Sequence, residues 1–114
     1  MDSVGPIVPV VLLVCYFGWR LVQARRTRRL LPRLLAGGAQ VIDVRSRAEF
    51  AAGHAAGSLN IPLSEIASRS TDLDRARAVV VCCASGVRSG LASRWLQANG
   101  FRPVLNAGSW RNLP

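Results

Sequence analysis

From residue 3 to residue 19 the chain carries no charged side chain, and residues 20 to 33 then hold six arginines (Arg20, Arg25, Arg26, Arg28, Arg29 and Arg33) and no acid. An apolar run of this length admits few fates. Val4 to Val22, broken only by Arg20, covers 19 residues. As a helix rising about 1.5 Å per residue it nearly matches a hydrocarbon core about 30 Å thick. Pro6 and Pro9 fall in the first turns, where missing N–H groups matter least. Tyr16, Trp19 and Arg20 fall where an interfacial belt and a snorkelling guanidinium belong. A cleaved signal peptide would carry its positive charge before the run and small residues after it. Here Asp2 precedes the run and arginines follow it. The expectation is one transmembrane anchor over 1–24 and a basic juxtamembrane segment over 25–33. The protein would cross the cell membrane once, with its N-terminus outside and all that follows cytoplasmic. A buried or interfacial amphipathic helix is the weaker alternative, because the run has no polar face.

With that stretch set aside, residues 34–114 hold nine arginines against five acids, so much of the +9 net charge of this 114-residue chain is local to the juxtamembrane segment. No nucleic-acid partner is expected, since the basic cluster has no interleaved aromatics and no recognisable binding module. One small domain is left to fold. Cys15 lies in the apolar run, and Cys82 and Cys83 are adjacent, which builds no disulfide framework. Neighbours on a strand point to opposite faces, so these two are read separately, and reduced thiols suit a cytoplasmic domain. No metal or cofactor is expected, because His54 is the only histidine and the cysteines lack ligand spacing.

Short valine- and isoleucine-rich runs alternate with helical patterns from Leu34 onward, which predicts an α/β domain with a parallel sheet and helices on both faces. The first strand is expected over Gln40–Arg45, after the Gly37-Gly38 stop. Ser46 with Glu49 three residues on forms a capping-box pattern opening a short helix that Gly53 ends. Ser58–Ile61 reads as a strand closed by Pro62, Leu63 to about Arg69 as a weak helix, and Ala78–Cys83 as a buried central strand. Val87–Asn99 reads as a helix with Leu91, Ala92, Trp95 and Leu96 on its apolar stripe, and Arg102–Leu105 as the last strand.

The most informative segment is V-V-V-C-C-A-S-G-V-R-S, residues 79–89: a buried strand, a cysteine at its carboxyl end, a tight loop and a helix. Ligand sites of open α/β sheets lie at such strand ends. Backbone N–H groups curling into a helix N-terminus favour negative charge, so a Cys83 thiolate should be stabilised. Gly86 permits a backbone conformation closed to other residues. Arg88 brings planar donors suited to an oxyanion, and Ser85 and Ser89 add hydroxyls.

Four ordered segments carry a resemblance. V-I-D-V-R-S-R-A-E-F-A-A-G-H-A-A-G-S-L-N-I-P (41–62), C-A-S-G-V-R-S (83–89), L-Q-A-N-G-F (96–101) and L-N-A-G-S-W (105–110) resemble the single-domain rhodanese-like sulfurtransferases over about residues 34–114. The resemblance implies a small rhodanese-like fold with Cys83 as catalytic cysteine. Ala84, Ser85, Gly86, Val87, Arg88 and Ser89 would form the substrate loop and anion cradle. Arg45 and His54 would support the fold around the pocket, and Asp43 would either support it or tune the site.

The implied reaction moves sulfur from a small donor, thiosulfate or a persulfide, to a thiol or cyanide-like acceptor through a Cys83 persulfide. The alternative is a membrane-tethered carrier or protein-binding module with little turnover. The sequence departs from the family in having Ala107-Gly108 where two glycines are common, and Cys82, read as a small buried hydrophobe in preference to a resolving thiol, where an aromatic or apolar residue is more usual. Four residues separate Cys83 from Arg88, one fewer than in the related cysteine phosphatases, which favours a sulfur atom over a phosphoryl group.

Overall fold

The computed structural model describes residues 5–114; Asp2 and Val4, the expected outer flank and start of the apolar run, lie outside them. The first helix, α1 (Ile7–Ala36), runs unbroken for 30 residues, about 45 Å at the standard rise. It passes through the positions expected to part anchor, juxtamembrane segment and domain. The physical reason lies in its last turns. Leu30, Leu31, Leu34 and Leu35 recur at helical spacing and pack on the sheet, so the basic stretch is held helical from both sides. Gly37 ends the helix, its N–H donating to the Arg33 carbonyl at 3.0 Å. Residues 7–22, by contrast, are exposed on every side.

Four parallel strands follow: β1 (Gln40–Asp43), β2 (Leu59–Asn60), β3 (Val79–Cys83) and β4 (Val104–Ser109), in the order β2-β1-β3-β4. The helices between them are α2 (Arg47–Ala52), α3 (Ile66–Arg69) and α4 (Val87–Ala98), with short 3₁₀ turns at Leu63–Glu65, Ser70–Asp72 and Trp110–Asn112. β3 is buried at all five residues, and its alternation divides the core. Val79, Val81 and Cys83 join Ile42, Ile61, Ala92, Leu96 and Phe101 beneath α3 and α4. Val80 and Cys82 join Leu31, Leu105 and Ala107 beneath the end of α1. The sheet thus carries helices on both faces, and each fully buried valine or leucine contributes about 1.5 to 3 kcal/mol.

The second strand is shorter than the expected Ser58–Ile61, and three further differences from the sequence expectation bear on the site. β1 stops at Asp43, not Arg45, because the Arg45 N–H and guanidinium both turn back onto the Asp43 carboxylate. β4 starts later and runs to Ser109: a bulge between Val81 and Cys82 lets Cys82 pair with Gly108, so an unpromising N-A-G-S sequence stays in the sheet. The buried face of α4 is Ser89, Ala92, Ser93 and Leu96, with Trp95 beside it, while Leu91 is 52% exposed. The helix is rotated because its first turn delivers Ser89 to the end of β3.

Candidate functional site

Cys83 closes β3 and is fully buried, while Ala84 and Ser85 above it are exposed. The chain turns sharply there because Gly86 adopts φ 105°, a left-handed conformation that serves as the N-cap of α4. A side chain at this position would also press on Gly108 Cα, 3.3 Å from where its Cβ would stand. Curled this way, the loop puts the Gly86 N–H 2.9 Å from Cys83 Sγ and the Ser89 hydroxyl 3.3 Å from it. Burial pushes the Cys83 thiol up, but the Ser89 hydroxyl and the backbone N–H groups of Ser89, Gly86 and Ser85 outweigh it. The pKa is held below the ordinary value. Val87 opens α4 with its side chain in solvent.

The rest of the shell arrives from distant strands. Asn106 of β4 accepts the Ser89 hydroxyl at 2.6 Å and the Gly108 N–H at 2.9 Å, and its amide donates to the Gly86 carbonyl at 3.0 Å. Asn106 therefore ties the loop, the first turn of α4 and the bulge of β4 together. Sequence reasoning quoted L-N-A-G-S-W without giving Asn106 a task. The available signal was an amide side chain amid a run otherwise reading as strand, which asks for a partner.

Arg88 does not point freely at the pocket. Its guanidinium forms a bidentate pair with Glu49 at 2.7 and 3.0 Å, both side chains remaining partly open to solvent. The Arg88 hydrogen bonds hold the Glu49 carboxyl down at about 2, aided by the Ser46 N–H. In the sequence Glu49 reads only as half of a capping box. It is that, with Ser46 accepting the Glu49 N–H at 3.2 Å, but it also reaches across to the loop.

Asp43 and Arg45 form a buried pair with the guanidinium 2.8 Å from the carboxylate. Arg45 then donates to the Gly53 carbonyl at 2.7 Å and lies over the Trp110 ring at 4.8 Å, joining the end of β1 to α2 and to the residues after β4. His54 stacks on Phe50 with centroids 3.7 Å apart and bonds the Phe50 carbonyl through Nδ1. No hydrogen bond among the described residues joins these three side chains to Cys83. Cys82 faces the opposite side of β3, where burial first and the Asp43 charge second push its thiol up to about 12. No cluster of three metal-ligating residues occurs among the described residues.

A sulfur stabilised as its anion at a strand end, roofed by small residues, suits attack on a slender electrophile. Comparisons with known proteins agree. The rhodanese-like domain pattern matches residues 27–113. The chain is 41% identical over 68 residues to the uncharacterized protein YqhL of Bacillus subtilis, covering 60% of this chain and 54% of that one. It is 35% identical over 74 residues to the thiosulfate sulfurtransferase PspE of Escherichia coli, covering 63% of this chain and 71% of PspE. Among solved structures, the rhodanese-like domain protein from Staphylococcus aureus superposes with a TM-score of 0.66 at 29% identity, covering 77% of this chain and 87% of that one. The chain thus spans about half the length of YqhL and a larger share of the other two.

Proposed function

The chain belongs to the rhodanese-like domain family, and we propose that it works as a sulfurtransferase through a persulfide on Cys83. The observation that carries this is the N–H of Gly86 and the hydroxyl of Ser89 converging on Cys83 Sγ. In the first half-reaction the thiolate attacks the outer sulfur of the donor. A bond forms between Sγ and that sulfur, the donor's own bond to it breaks, and the leaving group (sulfite from thiosulfate, a thiolate from a persulfide) takes the electron pair. In the second half-reaction an acceptor, a thiol or cyanide, attacks the outer sulfur and Cys83 leaves as thiolate. The same donors hold the anion before and after, so little must reorganise.

Intact-mass measurement after treatment with thiosulfate or a small persulfide should show one added sulfur, removable by cyanide and absent in Cys83→Ser. A wild-type protein that gains none from either donor would sink the reading. Loading with negligible steady-state turnover would make the protein a carrier.

The apolar part of α1 serves, in the same proposal, as a single-pass anchor with the domain on the cytoplasmic side. What supports it is a helix long and apolar enough to cross a bilayer, exposed on all sides, with the arginines at one end only. Cys83 should resist a membrane-impermeant thiol reagent in intact cells and react after permeabilisation, while the protein stays in the membrane fraction through a high-salt wash. Labelling of intact cells would overturn the orientation, and release by salt would overturn the span.

A further inference from the structure

We propose that the site is built for a donor whose reacting end carries at most one negative charge, an alkyl or protein persulfide, and that Glu49 makes it discriminate against the dianion thiosulfate. The inference rests on the sulfurtransferase reading above. Of the loop residues Ala84 to Arg88, only Arg88 is charged. Its guanidinium is committed to Glu49 by two hydrogen bonds, so the cation brings its own counter-charge to the mouth of the site. Because Glu49 stays ionised down to about pH 2, the compensation holds at every working pH. The next charged pair, Asp43 with Arg45, also cancels.

What remains to greet a donor is the set of backbone N–H groups and one hydroxyl around Sγ, enough for a single negative sulfur. A thiosulfate ion must hold a second charge on its sulfonate end beside the Glu49 carboxylate, and among the described residues no second guanidinium hydrogen-bonds to the loop. A persulfide R–S–SH has no such burden. The Cys83 thiolate attacks its terminal sulfur, the S–S bond of the persulfide breaks, R–S⁻ leaves with the electron pair, and the proton stays on the transferred sulfur.

Glu49→Gln separates charge from architecture, since the glutamine oxygen still accepts the Ser46 N–H that Glu49 accepts at 3.1 Å. The full-length protein in detergent would be assayed with sodium thiosulfate and with 2-hydroxyethyl persulfide, each yielding kcat and KM. Glu49→Gln should raise kcat/KM for thiosulfate roughly tenfold or more, mainly through KM, and should change the persulfide value far less. Arg88→Ala, which leaves Glu49 unbalanced, should move the selectivity the other way by a similar factor. If the thiosulfate-to-persulfide ratio stays constant in both variants, or both donors fall in parallel, Glu49 is only a structural contact and the inference is wrong. Failure of wild type to load sulfur from either donor would instead remove the sulfurtransferase reading itself.

Discussion

Cys82 and Cys83 are consecutive residues of one strand, both fully buried, yet their thiols are pushed in opposite directions. On the α1 face, Cys82 sits among Leu31, Val80, Leu105 and Ala107, where burial and then the Asp43 charge push the thiol up and outweigh the opposing Arg45 charge. On the α4 face, Cys83 is buried as well, but the loop turns three N–H groups and a hydroxyl toward it. Burial therefore does not decide whether a cysteine reacts. The decision lies in which side of the pleat faces the loop, and the alternation of a strand fixes that residue by residue. One thiol is filling for the core and the other is held below its ordinary value by the loop that faces it.

The sharpest way to break this contrast is to delete each sulfur in turn. Cys83→Ser should abolish persulfide loading and bring transfer to the uncatalysed background, whereas Cys82→Ala should keep transfer within a few-fold of wild type. Comparable losses in both variants would mean that the two faces share the chemistry. The next effect falls on stability. Asp43→Asn strips the fully buried partner from Arg45 and leaves a guanidinium without its counter-charge, at a cost of about 3 to 5 kcal/mol. Urea unfolding monitored at Trp110, which lies against Arg45, would measure it. A midpoint close to wild type would show the pair to be dispensable to the fold.

Much of this arrangement was readable because it is local. The valine run of β3, the Ser46–Glu49 capping box and the Cys83–Gly86–Ser89 spacing each lie within a few residues, where periodicity and turn chemistry act directly. What escaped the sequence depends on pairing across the fold. Glu49 and Arg88 are 39 residues apart, and Glu49 already had a sufficient local explanation as a cap. Asn106 acts only because the pairing of β4 with β3, which sets it opposite Val81, puts it on the sheet face beneath α4, within reach of Ser89. The face of α4 was misread for a related reason. Counting apolar residues favours Leu91, but Ser89 and Ser93 are buried because their hydroxyls are satisfied, by Asn106 and by the Ser89 carbonyl respectively. The length of α1 was likewise invisible, since its leucine stripe needs the sheet to pack against.

Alkaline pH sharpens the comparison from the Cys82 side. An unfolded cysteine ionises near its ordinary value of 9, while native Cys82 holds its proton to about 12. Between those limits the unfolded state has lost a proton that the native state keeps, so stability falls as pH rises, by up to about 1.4 kcal/mol per pH unit. Below pH 9 Cys82 contributes no slope. Cys82→Ala should flatten the decline in a series of unfolding curves taken from pH 9 upward, after a small cavity cost that is independent of pH. A decline of unchanged steepness would place its origin in other groups.

The smallest effect tests the Cys83 side. Ser89 has one hydroxyl proton and two neighbours for it, Asn106 Oδ1 at 2.6 Å and Cys83 Sγ at 3.3 Å. With the thiol protonated, the shorter contact holds that proton. Once the sulfur is an anion, the hydroxyl rotates to donate to it, and Asn106 Oδ1 keeps the Gly108 N–H at 2.9 Å. The hydroxyl thus stabilises the thiolate alone, and its removal raises the pKa without changing the nucleophile. In Ser89→Ala the pH midpoint of Cys83 alkylation by iodoacetamide should move up, slowing the reaction several-fold near neutrality while the plateau at high pH stays close to wild type. The Gly86 N–H remains, so the shift should stop short of the value for an undressed buried thiol. A lowered plateau with an unmoved midpoint would show that Ser89 shapes access to the sulfur and leaves its charge unaffected.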